Sequence, residues 1–349
     1  MSVGLSLAEK GLLPDAAIRA GIRRLLDDRL RDEAHNAAQP GAAERYVDML
    51  KASRIAVHTQ AANEQHYEVP PAFFEIALGR RLKYSSCLFP SGVTTLDAAE
   101  EAMLALTCER ARIADGHRIL ELGCGWGSLT LWMAERYPAS RITAVSNSRP
   151  QREFIEARAR RLGLGNVRVV TADMNEFEAG ATFERIVSVE MFEHMRNYER
   201  LLSRIARWLE PSGLLFVHVF CHRSFSYPFE TAGEDDWMGR HFFTGGIMPG
   251  FDLLPRFDRD MALRERWFVS GEHYARTSEL WLGNVDARRE EATAALRPVY
   301  GAQTALWLRR WRIFFMACAE LFARDAGREW HVAHYVFEPR AAAAGRMPG

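Results

Sequence analysis

Apolar and polar positions in the middle of the chain follow a pattern that predicts strands joined by helices. Short apolar runs bounded by turn residues recur between residues 113 and 220, and amphipathic stretches with helical spacing separate them. The runs predicted to be strands are Ile119–Leu122, Arg141–Val145, Val167–Thr171, Phe183–Val189 and Leu214–Phe220. Strands that alternate with helices at this spacing indicate βαβ units and a mainly parallel sheet.

The flanking regions have different patterns. Residues 1 to about 60 are rich in Ala and Arg and helical in spacing, with a break at Pro40-Gly41, and a further helix is predicted from about Leu96. An aromatic-rich stretch from Phe225 to Phe257 is too apolar for a free linker and is predicted to cap the active site. The last two strands are predicted at Arg264–Val269 and His331–Phe337, bracketing helices that run through Phe322.

These patterns predict an α/β fold with a seven-stranded, mainly parallel sheet. We expect an N-terminal helical segment and cofactor lid over residues 1–112, and a Rossmann-like domain over residues 113–349. The cap is expected at about residues 222–260, inserted into the second unit.

Charge and cysteine content narrow the function classes. Lys and Arg together number 45, as do Asp and Glu, so no global field favours nucleic acid or an anionic membrane. The five cysteines are scattered without a C-x-x-C pair, so neither a disulfide framework nor a zinc site is indicated. No basic, apolar leader and no run of about 20 apolar residues is present. We expect a cytoplasmic location, no transmembrane segment and no metal.

A glycine-rich turn follows the first predicted strand. Gly123, Gly125 and Gly127 come after the acidic Glu121 and precede helix-forming residues from Ser128. The spacing G-x-G-x-G matches the dinucleotide pattern G-x-G-x-x-G poorly, and no phosphate-binding P-loop occurs. The turn resembles motif I of class I S-adenosylmethionine-dependent methyltransferases, in which the acidic residue helps to hold the cofactor's amino group. The alternative is a structural turn in another kind of α/β protein.

Further segments resemble one branch of that class. They are HYEVP, LKYSSCLF, TLDAAEEAML, LELGCGWGSLTL, SVEMFEHM, LLFVHVFCH, EDDWM, HYARTSELW and FFMACAELF, in collinear order from about residue 63 to 338. Together they resemble the cyclopropane-fatty-acyl-phospholipid-synthase-like methyltransferases, and within them most closely the coclaurine N-methyltransferase group. That group methylates benzylisoquinoline-type amines.

The resemblance implies a set of cofactor-binding residues. Class I enzymes usually end the second strand with an acid that binds the cofactor ribose, but this chain has Ser146 and then Gln151, whose side chains can also hydrogen-bond a diol. Besides the glycine turn and Glu121, the residues expected to bind S-adenosyl-L-methionine are Tyr84 and Ser85 at its amino-acid end, Ser146 and Gln151 at its ribose, and Asp173 and Met174 at its adenine. For Asp173 a solvated carboxylate at a strand end is the alternative.

Three ionisable residues, Glu190, Glu193 and His194, come directly after the fourth predicted strand. Placing them at the end of a buried strand is costly unless they have a function there. If a helix begins near Met191, Glu190 and His194 lie about one turn apart and can face one space. The alternatives are acidic residues that cap a helix N-terminus and a structural histidine.

Such a group suits methylation of an amine, which arrives mostly as ammonium without a free lone pair. A carboxylate pair can hold that cation while His194 takes the proton, because the free pKa of histidine lies near neutrality. By the resemblance, Glu193 and His194 are catalytic and Glu190 supports them.

The competing hypothesis is C-methylation or cyclopropanation of an unsaturated lipid acyl chain. By the resemblance, lipid enzymes use a bound bicarbonate as base, held here by Glu193, His218 and Tyr274. Tyr67 could face a developing cation in either reaction. Glu190 stands where lipid enzymes have a small residue, and Ser86 stands where they have cysteine, which favours the amine. A hydrogen-bonded core histidine is the alternative for His218.

The first hypothesis is therefore an S-adenosylmethionine-dependent N-methyltransferase for a small, partly aromatic amine. Cap residues expected to wall its substrate pocket are Phe225, Phe229, Trp237, Phe242, Phe243 and Phe257. The expected partner is a small-molecule amine, or a lipid acyl chain in the second hypothesis, with a homodimer also open. A catalytically idle cofactor-binding protein is the third hypothesis, which the presence of Glu193 and His194 disfavours.

Overall fold

The computed structural model describes residues 3–57, 69–233 and 236–340. Tyr67 lies outside these ranges, so its predicted role stays a prediction. The strands are β1 (Arg118–Leu122), β2 (Arg141–Ser146), β3 (Val167–Thr171), β4 (Phe183–Val189), β5 (Leu209–His222), β6 (Tyr227–Pro228), β7 (Ile247–Met248), β8 (Met261–Val269) and β9 (Trp330–Pro339).

Helices cover both faces of the sheet and form the N-terminal region. They are α1 (Val3–Lys10), α2 (Asp15–Ala37), α3 (Ala42–Ala52), α4 (Pro71–Ala77), α5 (Leu96–Arg110), α6 (Ser128–Arg136), α7 (Arg149–Arg161), α8 (Tyr198–Trp208), α9 (Trp237–His241), α10 (Gly271–Ala287), α11 (Arg289–Tyr300) and α12 (Thr304–Ala323). No helix within the described ranges is long and apolar enough to cross a membrane.

The central sheet has seven strands in the order β3-β2-β1-β4-β5-β9-β8. The first five strands run parallel, whereas β9 is antiparallel to both β5 and β8. This confirms the predicted seven-stranded, mainly parallel α/β fold. Chain order reverses between β1 and β4, and ligands of such sheets bind at the carboxyl ends of the strands at that point.

Apolar side chains hold one helical layer on each face of the sheet. On one face, Leu104 and Cys108 of α5 and Trp132 of α6 pack on the strands through Ile119 and Phe216. On the other face, the buried residues of α3 and α8 form the core, among them Val47, Leu50, Leu201 and Ile205. A third cluster joins α4, α10 and α12 to the cap, and it is rich in aromatic rings. Rings of this cluster lie at the carboxyl ends of the parallel strands, where they line a cavity together with residues of β1, β2 and β4.

The structure differs from the sequence prediction in two local features. The fifth strand begins at Leu209 rather than Leu214, because Leu209 pairs with Phe183 before a register shift. The sequence analysis brings Glu190 and His194 one turn apart if a helix begins near Met191, but the chain forms only a 3₁₀ turn at Phe192–His194. Glu190 and His194 are thus not one α-helical turn apart, and their separation is set by the turn after β4.

Candidate active site

The glycine turn after β1 strongly favours glycine at two of its positions. Gly123 and Gly127 both have φ +81°, a left-handed conformation that side chains disfavour. A Cβ at Gly123 would lie 2.7 Å from Met191 Cβ, and one at Gly127 would lie 2.7 Å from Ile155 Cγ1. The turn thus packs tightly against its neighbours while it leads from β1 into the N-terminus of α6.

Glu121 lies beneath this turn with its side chain facing the cavity. It is 2% exposed, lines the cavity, and accepts a hydrogen bond of 2.5 Å from Thr130 Oγ1. Burial raises the pKa of Glu121 to about 8, and only the bond from Thr130 opposes that effect. A buried carboxylate with no neighbouring cation among the described residues is suited to the amino group of a ligand.

Apart from Gly127, the other cofactor residues expected from the sequence line the same cavity. These are Tyr84, Ser85, Gly123, Gly125, Ser146, Gln151, Asp173 and Met174. Ser146 Oγ donates to Gln151 Oε1 at 2.7 Å, which leaves the amide N–H groups of Gln151 as donors for a diol. Asp173 Oδ1 accepts from the backbone N–H of Asn175 at 2.7 Å. These donors and acceptors fit an adenosyl cofactor.

The carboxylate of Glu190 is the centre of a hydrogen-bond network at the end of β4. Its Oε1 accepts from the backbone N–H of Ser86 at 2.9 Å and lies 3.2 Å from His218 Nε2. Its Oε2 accepts from the Tyr274 hydroxyl at 2.6 Å. Glu190 also has φ +47°, an unfavourable conformation for this residue. Backbone strain is therefore retained at the place where three donors meet one carboxylate.

Glu193 and His194 follow in the 3₁₀ turn, and both line the cavity. Glu193 is 1% exposed, and its Oε2 has no hydrogen-bond partner among the described residues. The His194 ring stacks parallel to Phe243, with 5.7 Å between centroids. An unpartnered buried carboxylate oxygen next to an imidazole can receive a charged donor from a ligand.

Burial raises the pKa of both carboxylates in this pair. For Glu190 the positive charge of Lys83 and the hydrogen bonds from Tyr274 and Ser86 oppose that rise. For Glu193 the negative charge of Glu190 adds to it, so its pKa is raised further. The negative charge of Glu190 thus opposes ionisation of Glu193.

Lys83 is a site residue that the sequence reasoning missed. It is 2% exposed, and its Nζ donates to Ser85 Oγ and to the Ser86 carbonyl. It thus stiffens the loop that supplies the Ser86 N–H to Glu190. Its sequence signal is a single lysine in the otherwise uncharged run Leu82–Phe89, which is unusual if that run is buried.

The predicted aromatic wall was largely wrong. Of the six cap residues, Phe243 is the one that lines the cavity within the described part of the chain, and Phe225, Phe229, Trp237, Phe242 and Phe257 do not. Phe242 instead stacks on Phe314, and Phe257 packs on Tyr198. The other Phe, Tyr and Trp rings that line the cavity are Tyr84, Trp126, Phe220, Tyr274, Trp281 and Phe314. Helices α10 and α12 thus supply rings that the sequence analysis assigned to the cap.

His218 and Tyr274 both approach the centre, but in different ways. Tyr274 lines the cavity, whereas the fully buried His218 reaches it only through Glu190. The hydrogen bonds that the resemblance assigned to a bicarbonate ion are made to a side-chain carboxylate instead.

Comparison with known proteins agrees with this geometry. The family model of mycolic acid cyclopropane synthetase matches residues 56–332. (S)-coclaurine N-methyltransferase of Thalictrum flavum subsp. glaucum is 40% identical over 343 residues, which cover 96% of this chain and 95% of the relative. Cyclopropane-fatty-acyl-phospholipid synthase of Escherichia coli (strain K12) is 26% identical over 311 residues, 88% of this chain and 74% of the relative.

A solved structure is similar over nearly the whole chain. The crystal structure of coclaurine N-methyltransferase bound to N-methylheliamine and SAH matches with a TM-score of 0.91 at 38% identity. The match covers 96% of this chain and 98% of the solved chain. The predicted resemblance and fold are confirmed, and similarity to the amine-methylating proteins exceeds similarity to the lipid enzyme.

Proposed function

Since the chain belongs to the mycolic acid cyclopropane synthetase family and is an S-adenosylmethionine-dependent methyltransferase, we propose that its methyl acceptor is the nitrogen of a small aromatic amine. Glu121 and the glycine turn bind the amino-acid end of the cofactor, and Ser146 with Gln151 binds its ribose. When bound, S-adenosylmethionine supplies a methyl carbon, which passes from its sulfonium sulfur to the nitrogen lone pair and leaves a neutral thioether.

The observation that carries this proposal is the occupation of the anion site by Glu190. His218 and Tyr274, which would bind bicarbonate in a lipid enzyme, both contact the Glu190 carboxylate, as does the Ser86 N–H. A second anion cannot use the same donors without displacing this side chain. The bound negative charge is therefore part of the protein, and it lies beside a cavity lined with aromatic rings.

The residues of the site then have separate tasks. Glu190 keeps a fixed negative charge next to the acceptor nitrogen, which attracts the ammonium form of the substrate. Glu193 accepts an N–H of that ammonium through its unpartnered Oε2, and the substrate's charge favours its ionised form. His194 takes the proton that must leave before the lone pair is free. The rings of Phe243 and Phe314 exclude water and orient the aromatic part of the substrate.

The test is incubation of the protein with methyl-labelled cofactor and two kinds of acceptor. One is a panel of secondary cyclic amines that includes heliamine, the unmethylated form of the ligand in the similar crystal structure. The other is vesicles of unsaturated phospholipid, with and without bicarbonate. We expect label in amine, independent of bicarbonate.

Label in lipid that depends on bicarbonate would overturn the amine proposal in favour of the lipid alternative. Label in neither acceptor, with normal cofactor binding by calorimetry, would contradict the proposed amine class. It would favour the hypothesis of a cofactor-binding protein without catalytic activity. A Glu190→Gln variant with full amine activity would show that the fixed charge is not needed.

A further inference from the structure

A chain of hydrogen bonds runs from Glu190 across strands β5 and β9 to Arg110 at the end of α5. His218 on β5 and His334 on β9 are directly paired in the antiparallel register. His218 Nε2 lies 3.2 Å from Glu190 Oε1, and His218 Nδ1 lies 2.9 Å from His334 Nε2. His334 Nδ1 in turn lies 2.7 Å from Arg110 Nη1. We call these four residues the Arg110–Glu190 chain.

The proton positions along this chain follow from its terminal residue. A guanidinium only donates, so His334 Nδ1 must accept from Arg110 and carries no proton. The His334 proton is then on Nε2 and is donated to His218 Nδ1. The His218 proton is consequently on Nε2 and is donated to Glu190. Both imidazoles are completely buried, and burial lowers the pKa of each well below the usual range, so both are neutral.

Arg110 is itself held in place, away from the cavity. It is the last residue of α5, and its guanidinium lies over the ring of Trp267 on β8, 4.6 Å from the centroid. Neither Arg110 nor His334 lines the cavity that Glu190 faces. Any effect of these two residues on the acceptor must therefore pass through His218.

Without a fixed terminal donor, the direction of the chain could reverse. A neutral imidazole can present either a proton or a lone pair on a given nitrogen. If His218 presented a lone pair, Glu190 would have to be protonated to complete the hydrogen bond. The reversed state would lack the negative charge of Glu190, and burial, which raises the pKa of that carboxyl, acts in its favour.

We propose that Arg110 and His334 are positioning residues that fix the tautomer of His218, so that it always donates to Glu190 and keeps that carboxylate ionised. This inference rests on the proposed function, in which Glu190 attracts a substrate ammonium. It also assigns a direction to proton movement. Every donor in the chain points towards Glu190 and the chain ends in a group that cannot accept, so the proton released by the amine leaves by His194 instead.

Other groups also act on the charge of Glu190, and a test must hold them constant. They are Lys83 and Ser86 from the loop before α5, Tyr274 from α10, Glu193 from the 3₁₀ turn and Cys318 from α12. Of the described groups that contact the Glu190 carboxylate, the Ser86 N–H can only donate, whereas the Tyr274 hydroxyl and His218 can each exchange donor for acceptor without changing charge. Of these two, His218 is the one hydrogen-bonded to His334 and, through it, to Arg110. A change at Arg110 therefore tests the tautomer and leaves these neighbours in place.

The first experiment compares Arg110→Gln with Arg110→Lys. A glutamine amide can accept as well as donate, so it permits the reversed chain, whereas lysine only donates. We expect Arg110→Gln to raise the amine KM about tenfold and to move the acidic limb of the kcat/KM–pH profile up by about one unit. Arg110→Lys should retain most of the wild-type behaviour, and cofactor affinity should be unchanged in both.

The matched control is Arg112→Gln, two residues away, where an exposed arginine is paired with Glu265. It should leave both KM and the pH profile at wild-type values. An equal loss of activity at all pH values in Arg110→Gln, with a lower melting temperature, would mean a purely structural role and would overturn the proposal. So would an unchanged KM and acidic limb.

The second experiment reads the tautomers directly and needs no substrate. Ring ¹⁵N NMR of the cofactor-bound protein, with signals assigned through His334→Gln and His218→Gln, should show His218 and His334 as Nε2–H tautomers. A proton on Nδ1 of either ring would overturn the proposal, even if Arg110→Gln failed to fold. If the tautomers are as expected but no amine is methylated, the proposed function is wrong, whereas the proposed direction of the Arg110–Glu190 chain is supported.

Discussion

The two ends of the cavity are built in different ways. Apart from Tyr84 and Ser85, the cofactor end uses residues that follow one another through β1, β2 and β3, from Glu121 to Met174. The acceptor end is assembled from segments far apart in the chain, namely Ser86, Glu190, His218, Tyr274 and Phe314. Most of the cofactor end thus comes from one stretch of the sequence, whereas the acceptor end forms only when the sheet and helices have packed together.

This difference determines what each end tolerates. At the cofactor end the backbone conformation of the glycines determines the shape of the binding site. A substitution there therefore changes cofactor affinity and protein stability together. At the acceptor end charged side chains project from elements that are already packed together. A substitution there therefore changes the rate of methyl transfer. Four predictions test this separation, and they are arranged from the largest expected effect to the smallest.

The largest effect is expected at Glu193. Glu193→Gln keeps the size of the side chain but cannot become negative, so it neither attracts an ammonium nor supports removal of its proton. We expect kcat/KM for a good amine to fall about 10²–10³-fold, within the range of general acid–base contributions. Cofactor affinity, measured by calorimetry, should stay within a factor of about two, since the two ends are separate.

The matched control is Glu153→Gln, on the exposed face of α7, which should have wild-type activity. A Glu193→Gln protein that lost cofactor affinity in parallel with turnover would break the proposed separation of the two ends. One that retained full turnover would remove Glu193 from the centre.

The second prediction converts the carboxylate site into an open anion site. Glu190→Gly removes the charge at a residue whose φ of +47° suits glycine, and leaves the donors of Ser86, His218 and Tyr274 facing a vacancy. We expect amine methylation to fall about 10²-fold, as for loss of one preorganised electrostatic group. Added formate or bicarbonate should restore part of it by filling that vacancy.

Glu190→Gln is the control, because its amide keeps the volume and should block rescue by the anion. Rescue by anion in both variants would point to a general salt effect. Absence of rescue in Glu190→Gly, with its fold intact, would contradict the idea that these donors form an anion site.

The same contrast explains what could be predicted from the sequence. The glycine turn, Glu121 and the five parallel strands could be predicted from local patterns. Glycine positions indicate the backbone conformation of the turn, and short apolar runs of fewer than about ten residues indicate each strand. His218 and Tyr274 came from the family resemblance, as bicarbonate ligands with Glu193, and their contact with Glu190 was not predicted. The pairing of His218 with His334 depends on antiparallel register between strands more than 100 positions apart. The cap rings were wrongly placed because aromatic content does not say which face a ring turns to.

The third prediction concerns the backbone at the cofactor end. Gly127→Ala places a Cβ 2.7 Å from Ile155 Cγ1, and overpacking of this kind costs about 1–3 kcal/mol. The φ of +81° adds about 1 kcal/mol for a residue other than glycine. We expect both a lower melting temperature and weaker cofactor binding, with the amine KM unchanged at saturating cofactor.

Gly125→Ala is the matched control, since a Cβ at that glycine meets no atom within 4 Å. Its melting temperature should fall by less than that of Gly127→Ala. Equal losses in the two variants would show that the contact with Ile155 does not limit this turn.

The smallest effect is a pH dependence at the cofactor end. Burial raises the pKa of Glu121 from an ordinary 4.5 to about 8, so between these values the folded protein holds a proton that the unfolded chain does not. Stability of the cofactor-free protein therefore contains a contribution that is present below about pH 4.5 and is lost as pH rises towards about 8. A bound ammonium favours the carboxylate, so the rise in melting temperature on adding cofactor should grow between about pH 6 and 7.5.

Glu121→Gln should flatten that growth. Burial also raises the pKa of Glu100 to about 7, but this group is common to both proteins, so their difference isolates Glu121. Parallel pH slopes in the two proteins would mean that Glu121 does not meet the cofactor's amino group.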